Sequence, residues 1–333
     1  MDFTQKRKTQ NKVFSIADLR KNGKVSNKAN GTKFVHGPEL FDCQVYKWSR
    51  GELLGIVADS GIGKTEFVLM CFKDILKNNP ESSAIFVSLE MTTEKIANRW
   101  FEMTIDEPEL AERLYVISRY DEEGKSKEVS MPWIKRELRH VQETIGDVAA
   151  FCIDHLHVLG ENDVSSLNSI AIKVKEMAVE TNAFGILLAQ VSKTAAQKGE
   201  VPLDSDAVYG CSQFKWIATD IMQLHRPIKR YEADAGISVL GYSYTKLREP
   251  HKNDKLKVGQ NKLLRYDLDS RSFIKMSVED FTIFKLYYNQ LLEARDAEQR
   301  HKAHEYDLSK EIKGKDGKVV TVTEKFSGDV DEL

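Results

Sequence analysis

The segment from Ala58 to Thr65 reads ADSGIGKT, which has the residue types and spacing of a phosphate-binding loop with alanine replacing the usual first glycine. Gly61 and Gly63 allow backbone conformations that turn successive N–H groups toward phosphate oxygens. Lys64 can then reach the β- and γ-phosphates, while the Thr65 hydroxyl ligates Mg²⁺. A chance glycine turn is the alternative, but it gives no reason for a lysine to open the following helix. The predicted nucleotide-binding residues are Ser60, Gly61, Ile62, Gly63, Lys64, Thr65 and Glu66.

Asp154 stands directly after the apolar run Ala149–Ile153, where a buried strand would end. A carboxylate in that place is costly unless it serves a cation. The position suits a ligand of Mg²⁺ or of its water shell. The alternative is a strand-end carboxylate that caps the following turn. We predict that Thr65 and Asp154 hold the metal.

Glu90 and Gln190 close two further apolar runs, at 85–89 and 186–189. The carboxyl ends of neighbouring parallel strands lie at one edge of a sheet, so both side chains are expected beside the phosphate loop. There Glu90 can polarise the attacking water as a general base. The amide of Gln190 can contact the γ-phosphate or the water and report hydrolysis to the loop behind it. Both are predicted catalytic residues, together with Lys64.

Bringing these residues to one edge requires strands that alternate with helices, and the sequence has that pattern. Apolar runs, predicted to be strands, occupy residues 53–58, 84–89, 114–118, 148–153 and 185–189. Predicted helices lie between them, at residues 64–76, 92–103, 132–144 and 167–181. This alternation predicts a doubly wound α/β fold with a parallel sheet buried on both faces. Shorter strands at 220–225, 238–244, 262–266 and 272–276, without helices between them, predict an antiparallel extension.

Polar segments flank this core. Residues 1–45 are basic and rich in Asn, Lys and Gly, which predicts a solvated arm or linker rather than a folded domain. Residues 46–278 are the predicted nucleotide-binding α/β domain. A charged helix over about residues 278–306 and a loose acidic tail account for the C-terminal region, residues 279–333.

The cysteines have no C-x-x-C spacing, which predicts reduced thiols rather than disulfides or a zinc site. His155 and His157 directly follow an apolar strand, so we do not interpret them as a metal-binding pair. No apolar run approaches the ~18 residues of a membrane span, and no signal-peptide pattern is present. The formal net charge of −2 argues neither for nor against a nucleic-acid partner. We expect a cytoplasmic protein.

Four segments, in order along the chain, resemble the motifs of DnaB-type replicative helicases. They are ADSGIGKT at 58–65, SLEM at 88–91, IDHL at 153–156 and LAQVSK at 188–193. SLEM is the most specific, since recombinases and clock-type ATPases of the same superfamily do not usually carry it. GCS at 210–212 and Asp220 resemble the family's glycine-serine motif and the aspartate that opens the next strand. The resemblance covers about residues 45–278 and implies a RecA-like P-loop ATPase motor.

The resemblance also implies roles that spacing alone does not give. TKLR at 245–248 resembles the family's K-x-R element, so Lys246 and Arg248 would reach the γ-phosphate held by a neighbouring subunit. Such a finger in trans typically contributes ~10³–10⁵ in rate. It also explains a homo-oligomeric ring, expected to be a hexamer, because head-to-tail contacts can close into cyclic assemblies. Two solvated cations after a strand are the alternative. Arg99 matches a family arginine to which we assign no chemical role.

In this family the loops behind Asp154 and Gln190 line the central channel, which places DNA at about residues 160–166 and 192–209. Lys193 and Lys198 in the second loop are the predicted DNA-binding residues, with solvated loop lysines as the alternative. Family members of bacterial origin carry an N-terminal helical domain that binds primase. The short arm in its place makes this chain most similar to a phage or plasmid helicase in a bacterial or phage-infected cell. Primase and a helicase loader are candidate partners.

These observations predict a replicative helicase that uses ATP and Mg²⁺ to translocate on single-stranded DNA and to unwind forked duplexes. A 5′ to 3′ polarity is implied by the resemblance alone. One alternative is a recombinase or mediator ATPase with the same fold, which filament formation on DNA would favour. Another is a regulatory ATPase switch, which ATPase activity independent of DNA would favour.

Overall fold

The fold is seen in a computed structural model of the chain. The structure describes residues 34–35, 48–121, 123–159, 164–191, 214–226, 238–247, 258, 262–286, 288–290 and 293. The chain divides into two compact units, one of residues 1–229 with 238–275 and the other of residues 230–237 with 276–333. The phosphate loop and the predicted sheet belong to the first unit.

In its described residues, the first unit alternates strands and helices as far as β7, and beyond β7 the described elements are strands and one short helix. The strands are β1 (Phe34–Val35), β2 (Trp48–Ser49), β3 (Leu53–Ala58), β4 (Ser83–Ser88), β5 (Leu114–Ser118), β6 (Val148–Asp154), β7 (Phe184–Gln190), β8 (Asp220–His225), β9 (Ser238–Lys246), β10 (Lys262–Asp267) and β11 (Ser272–Lys275). The α-helices are α1 (Lys64–Asn78), α2 (Thr93–Met103), α3 (Pro108–Ala111), α4 (Met131–Ile145), α5 (Val164–Thr181) and α6 (Phe214–Ile217). A single 3₁₀ turn, Leu156–Val158, follows β6.

The strands from β3 onward form one nine-stranded sheet in the order β11-β10-β9-β8-β3-β7-β6-β4-β5. The pairs from β8 to β5 are parallel, whereas β8–β9, β9–β10 and β10–β11 are antiparallel. The predicted α/β fold, a mainly parallel doubly wound sheet with an antiparallel extension, is therefore confirmed.

Helices cover both faces of the parallel region, which is why β3, β6 and β7 are apolar apart from the polar residues that end β6 and β7. Every residue of β3, β6 and β8 is buried. One face packs against α1 and α2 through side chains that include Phe67, Phe72 and Trp100. The other face packs against α4 and α5 through side chains that include Leu138 and Val174. Strands buried on both sides mostly read as continuous apolar runs, whereas β8 also buries the polar residues Asp220, Gln223 and His225.

The structure also differs from the sequence-based prediction in places. Helix α5 begins at Val164, so residues 164–166 are helical and do not belong to the predicted channel loop at 160–166. Short helices α3 and α6, and the pairing of β1 with β2, were not predicted. Elements of two to four residues carry too few side chains to establish a periodic pattern.

The second unit is described for part of the predicted C-terminal helix. Residues 278–286, 288–290 and 293 are helical, and the rest of the predicted stretch lies outside the described residues. The helix starts with a reciprocal cap, in which Asp280 N donates to Ser277 Oγ at 3.0 Å and Ser277 N donates to Asp280 Oδ2 at 2.9 Å. Within the described parts of both units, no helix is long and apolar enough to cross a membrane.

Candidate active site

The loop between β3 and α1 has the backbone that phosphate binding requires. Gly61 and Gly63 have φ angles of +75° and +103°, in the left-handed region that residues with a Cβ seldom adopt. Gly63 also caps α1, whose first turn closes with Phe67 N donating to Gly63 O at 3.0 Å. The free N–H groups and the positive end of a 15-residue helix therefore face the same space.

Lys64 lies at the start of α1 with its ammonium folded back on the loop. Its Nζ donates to Ala58 O at 3.1 Å and to Asp59 O at 2.8 Å. Burial lowers the pKa of Lys64, although the carboxylates of Asp154 and Glu90 act in the opposite direction. Two carbonyl partners are weaker than a phosphate anion for an ammonium, so a bound triphosphate would take over this cation.

Thr65 and Asp154 meet across the first turn of α1. Thr65 Oγ1 donates to Asp154 Oδ2 at 3.0 Å, and Asp154 is 2% exposed. Burial, followed by the nearby charge of Glu90, raises the pKa of Asp154. A hydroxyl and a buried carboxylate are hard oxygen donors, the kind that Mg²⁺ prefers, and a divalent cation would relieve the cost of that buried charge. The two residues therefore fit a magnesium site.

Glu90 follows the carboxyl end of β4 and lies beside the end of β6. Strand register pairs Ser88 with Asp154, and Leu89 N donates to Asp154 O at 2.9 Å. The Glu90 side chain is 49% exposed, and its Oε1 lies 3.0 Å from Nδ1 of His155. The interaction with His155 lowers the pKa of Glu90, against the opposing effect of burial. Glu90 is thus an ionised carboxylate that lines the cavity beside the phosphate loop.

Gln190 is the last residue of β7 and pairs in register with Ala58, the last residue of β3. The amide is therefore level with the start of the phosphate loop on the neighbouring strand. It lines the same cavity as Lys64 and Glu90. This is the location that the sequence predicted for it.

A cavity of about 440 Å³ collects these residues at one edge of the sheet. Of the predicted site residues, those that line it are Ser60, Gly61, Gly63, Lys64, Thr65, Glu66, Glu90, Asp154 and Gln190. Ile62 instead packs against the apolar core. The cavity is lined by polar groups of the phosphate loop and by aromatic rings, of which that of Phe273 lies close to Gly63, and this combination suits a nucleotide.

Several cavity residues were not predicted from the sequence. Arg226, which follows β8, donates from Nε to Ile62 O at 3.4 Å. Tyr266 of β10 and Phe273 of β11 line the cavity with their ring centroids 5.1 Å apart. Arg226 lies at the carboxyl end of β8, which pairs parallel with β3. The sequence placed this strand in the antiparallel extension, and that prediction was wrong for β8, so position did not indicate Arg226. No local pattern marks the two aromatic residues, which reach the cavity through the antiparallel extension.

Arg99, which the sequence left without a role, forms an ion pair with Glu66 through Nη1 and Oε1. Both residues line the cavity, and Glu66 directly follows the metal-ligand candidate Thr65. An acidic side chain so close to a phosphate site repels the ligand unless a cation neutralises it. Arg99 on α2 supplies that cation from a position 33 residues away in the sequence.

Lys246 does not join this cavity. It is the last residue of β9, and its Nζ donates to the carbonyls of Lys215 and Ala218, at the end of α6. Helix α6 is itself anchored by the buried Phe214, which packs on Gly55 so closely that an added Cβ would lie 2.2 Å from the ring. Lys246 is therefore held in place by carbonyl groups rather than solvated. Arg248, Lys193, Lys198 and residues 210–212 lie outside the described residues, while Asp220 opens β8 as predicted.

The fold and this site define a P-loop ATPase of the RecA type. A sequence profile of the DnaB-like helicase C-terminal domain matches residues 37–237, so the chain belongs to the DnaB-like helicase family. Membership implies the motor domain of an ATP-hydrolysing replicative helicase. No curated protein sequence matches the chain significantly.

Two solved structures of the same fold are similar. One, described as an ATPase domain, is 19% identical with a TM-score of 0.56, and the match covers 72% of this chain and 91% of that domain. The other, a DnaB-like replicative helicase described together with its interactions with primase, is 18% identical with a TM-score of 0.52. That match covers 68% of this chain and 59% of the other. At these identities the likeness concerns the fold.

Proposed function

We propose that this chain hydrolyses ATP at the cavity beside the phosphate loop, with Glu90 as the general base. The observation that carries the proposal is the convergence of Lys64, Asp154 and Glu90 on one 440 Å³ cavity at a helix N-terminus. Lys64 and the loop amides bind the phosphates, and Gln190 contacts the γ-phosphate or the water. Thr65 and Asp154 would hold Mg²⁺, which neutralises charge on the phosphates when bound.

The aromatic wall supplies a place for the nucleotide base. Tyr266 and Phe273 form one side of the cavity, and Arg226 lies on the same lining. A purine can stack on an aromatic ring, and a guanidinium adds a cation–π contact. Stacking is tolerant of base identity, so we propose that this wall contributes affinity rather than strong selection among nucleotides.

We also propose that active sites are completed between subunits of a ring, in which Lys246 and Arg248 act on the nucleotide of a neighbour. Lys246 ends β9 on the side of the sheet away from its own phosphate loop, which supports action in trans. A head-to-tail ring is the assembly that brings such a surface to the next subunit's site. A hexamer is the proposed ring.

The work of this motor, in our proposal, is translocation on single-stranded DNA from 5′ to 3′ and unwinding of forked duplexes in the cytoplasm. Lys193 and Lys198, in the segment behind Gln190, are the proposed phosphate contacts. Primase or a helicase loader is a candidate partner, since one structurally similar helicase is described with primase. The family membership of residues 37–237 supports this assignment.

ATP hydrolysis measured with and without single-stranded DNA tests the proposal. We expect hydrolysis that DNA stimulates and that Lys64→Ala and Glu90→Gln both abolish. Glu90→Gln should still bind nucleotide, because the phosphate loop is intact, whereas Lys64→Ala should bind it poorly. A hydrolysis rate that DNA does not change would favour a regulatory switch instead. A fully active Glu90→Gln variant would exclude Glu90 as the base.

A further inference from the structure

We propose that His155 is a positioning residue for Glu90, holding its carboxylate in the orientation from which it deprotonates the attacking water. This inference rests on the proposed function, since it assumes that Glu90 is the general base. It assigns a task to a buried side chain that directly follows the metal-ligand candidate Asp154.

The sheet itself places the two residues side by side. Strands β4 and β6 are parallel and paired through Ser88 and Asp154, and the Leu89 N–H to Asp154 O bond extends that pairing by one step. Glu90 and His155 are then the next residue on each chain. Their proximity is therefore fixed by the register of two core strands.

His155 is the restrained partner of this pair and Glu90 the less restrained one. His155 is 4% exposed, and its carbonyl accepts a hydrogen bond from Val158 N at 3.2 Å, which closes the 3₁₀ turn. The Glu90 side chain is half exposed and long enough to adopt several rotamers. A base is effective only near one of those orientations, so a fixed partner is useful to it.

The contact has the distance of a positioning hydrogen bond. Nδ1 of His155 lies 3.0 Å from Oε1 of Glu90, an ion-pair contact whose alignment as a hydrogen bond we expect to form when nucleotide binds. Engaging one carboxylate oxygen leaves Oε2 free to accept the proton of the water. The proton then moves from water to Glu90, the hydroxide attacks the γ-phosphorus, and the bond to the leaving phosphate oxygen breaks. His155 takes no proton in this step.

Two nearly isosteric substitutions separate positioning from packing. Asparagine at 155 offers Nδ2 about where Nδ1 of histidine lies, whereas leucine has a similar shape without a donor. We expect His155→Leu to lower kcat roughly 10–100-fold, the loss associated with misplacing a catalytic group by about 1 Å. His155→Asn should recover most of that loss. KM and the Kd of a fluorescent ATP analogue should change by less than about threefold in both variants, since neither touches the phosphate loop.

His157 provides the matched control. It lies in the 3₁₀ turn that follows His155, and the two ring centroids are 5.5 Å apart. The nitrogen that approaches Oε1 of Glu90 is that of His155. His157→Leu makes the same chemical change two residues further along, at a less buried position, and should leave kcat near that of the unmodified protein. Circular dichroism and thermal unfolding of each variant show whether the fold is retained.

The failure of this inference and that of the proposed function give different results. If Glu90→Gln abolishes hydrolysis but the leucine and asparagine variants at 155 have equal kcat, Glu90 remains the base and the positioning role is wrong. If Glu90→Gln remains active, the assignment of the base itself fails.

Discussion

Lys64 and Lys246 lie at opposite ends of the strands of one sheet. Lys64 follows the carboxyl end of β3, and β3 is parallel to β8. Lys246 ends the antiparallel strand β9, where it pairs with Ile221 near the amino end of β8. The ammonium of Lys246 bonds to carbonyls that precede β8, at the edge away from the phosphate loop. A γ-phosphate contact by Lys246 therefore calls for a second subunit, and we propose the same for Arg248, two residues further along the chain.

This geometry predicts complementation between two inactive variants. Lys64→Ala destroys a subunit's own phosphate loop, whereas Arg248→Ala destroys what it offers to a neighbour. In a mixed ring, some sites combine an intact loop from one variant with an intact finger from the other. We expect each variant alone to lose about 10³-fold or more in ATPase rate. An equimolar mixture, measured by steady-state phosphate release after subunit exchange, should regain a substantial part of the activity.

The control for complementation is a mixture in which both substitutions are carried by the same chain and the other chain is unmodified. A Lys64→Ala/Arg248→Ala chain should only dilute the activity of the unmodified protein. If the mixture of single variants stays as inactive as either one, the two residues act within one subunit or not at all.

Replacing Asp154 with asparagine should lower the rate of ATP hydrolysis but raise the stability of the protein. Burial raises the pKa of Asp154, so its ionised form destabilises the nucleotide-free protein at neutral pH. Asp154→Asn removes that charge and should raise Tm by a few degrees at pH 7 while lowering ATP hydrolysis by at least ~10²-fold. For an acid whose folded pKa is raised, the penalty is present above that pKa and fades as pH falls. The Tm difference should therefore shrink toward pH 4.

Asp269→Asn is the matched control, because Asp269 is exposed in the turn between β10 and β11. It should change neither Tm nor hydrolysis appreciably. Mg²⁺ should raise the Tm of the unmodified protein in the presence of a non-hydrolysable ATP analogue, and should do so less for Asp154→Asn. A variant that melts below the unmodified protein at pH 7 would contradict the account of the buried charge.

The ion pair between Arg99 and Glu66 predicts a double-mutant cycle in nucleotide affinity. Arg99→Ala leaves the carboxylate of Glu66 unpaired beside the phosphates and should weaken ATP-analogue binding roughly 10-fold. Removing both side chains should restore affinity to within about threefold of the unmodified protein. Equal losses in the single and double variants, measured by fluorescence titration, would mean that Arg99 contacts the nucleotide itself.

Tyr266 predicts a change in KM rather than in kcat. Its ring lines the cavity and is not one of the proposed hydrolytic groups, so its loss should weaken base stacking and leave those groups in place. Tyr266→Leu should raise KM for ATP roughly 10-fold, within the ~1–3 kcal/mol of a stacked base. Tyr266→Phe keeps the ring and should behave like the unmodified protein. A drop in kcat at unchanged KM would place the base elsewhere.

The strands and most of the helices were predictable because burial of the sheet on both faces produces apolar runs in the sequence. Strands such as β3 and β6 are apolar up to their carboxyl ends. The polar residues at those ends have no role in a core and therefore indicate a functional site. Lys64, Glu90, Asp154 and Gln190 could be grouped without coordinates, since parallel strands end at one edge.

Contacts between side chains that are far apart in the sequence could not be predicted from such a pattern. The partners Arg99 and Glu66 lie 33 residues apart on different helices, and no local pattern joins them. Tyr266 reaches the cavity only because the antiparallel extension folds back beside β8. The bonds from Lys246 to the end of α6 depend on a four-residue helix too short to show periodicity.

Unwinding of a forked DNA duplex with ATP and Mg²⁺, alongside Lys64→Ala, tests the central claim most directly. A fork labelled with a fluorophore and a quencher reports strand separation, and a duplex without single-stranded tails serves as the negative substrate. The account predicts unwinding of the fork by the unmodified chain, dependent on ATP and absent in Lys64→Ala. The contradicting result is a ring that is assembled on the fork and hydrolyses ATP in response to DNA but does not separate the strands. That result would favour a recombinase-like activity.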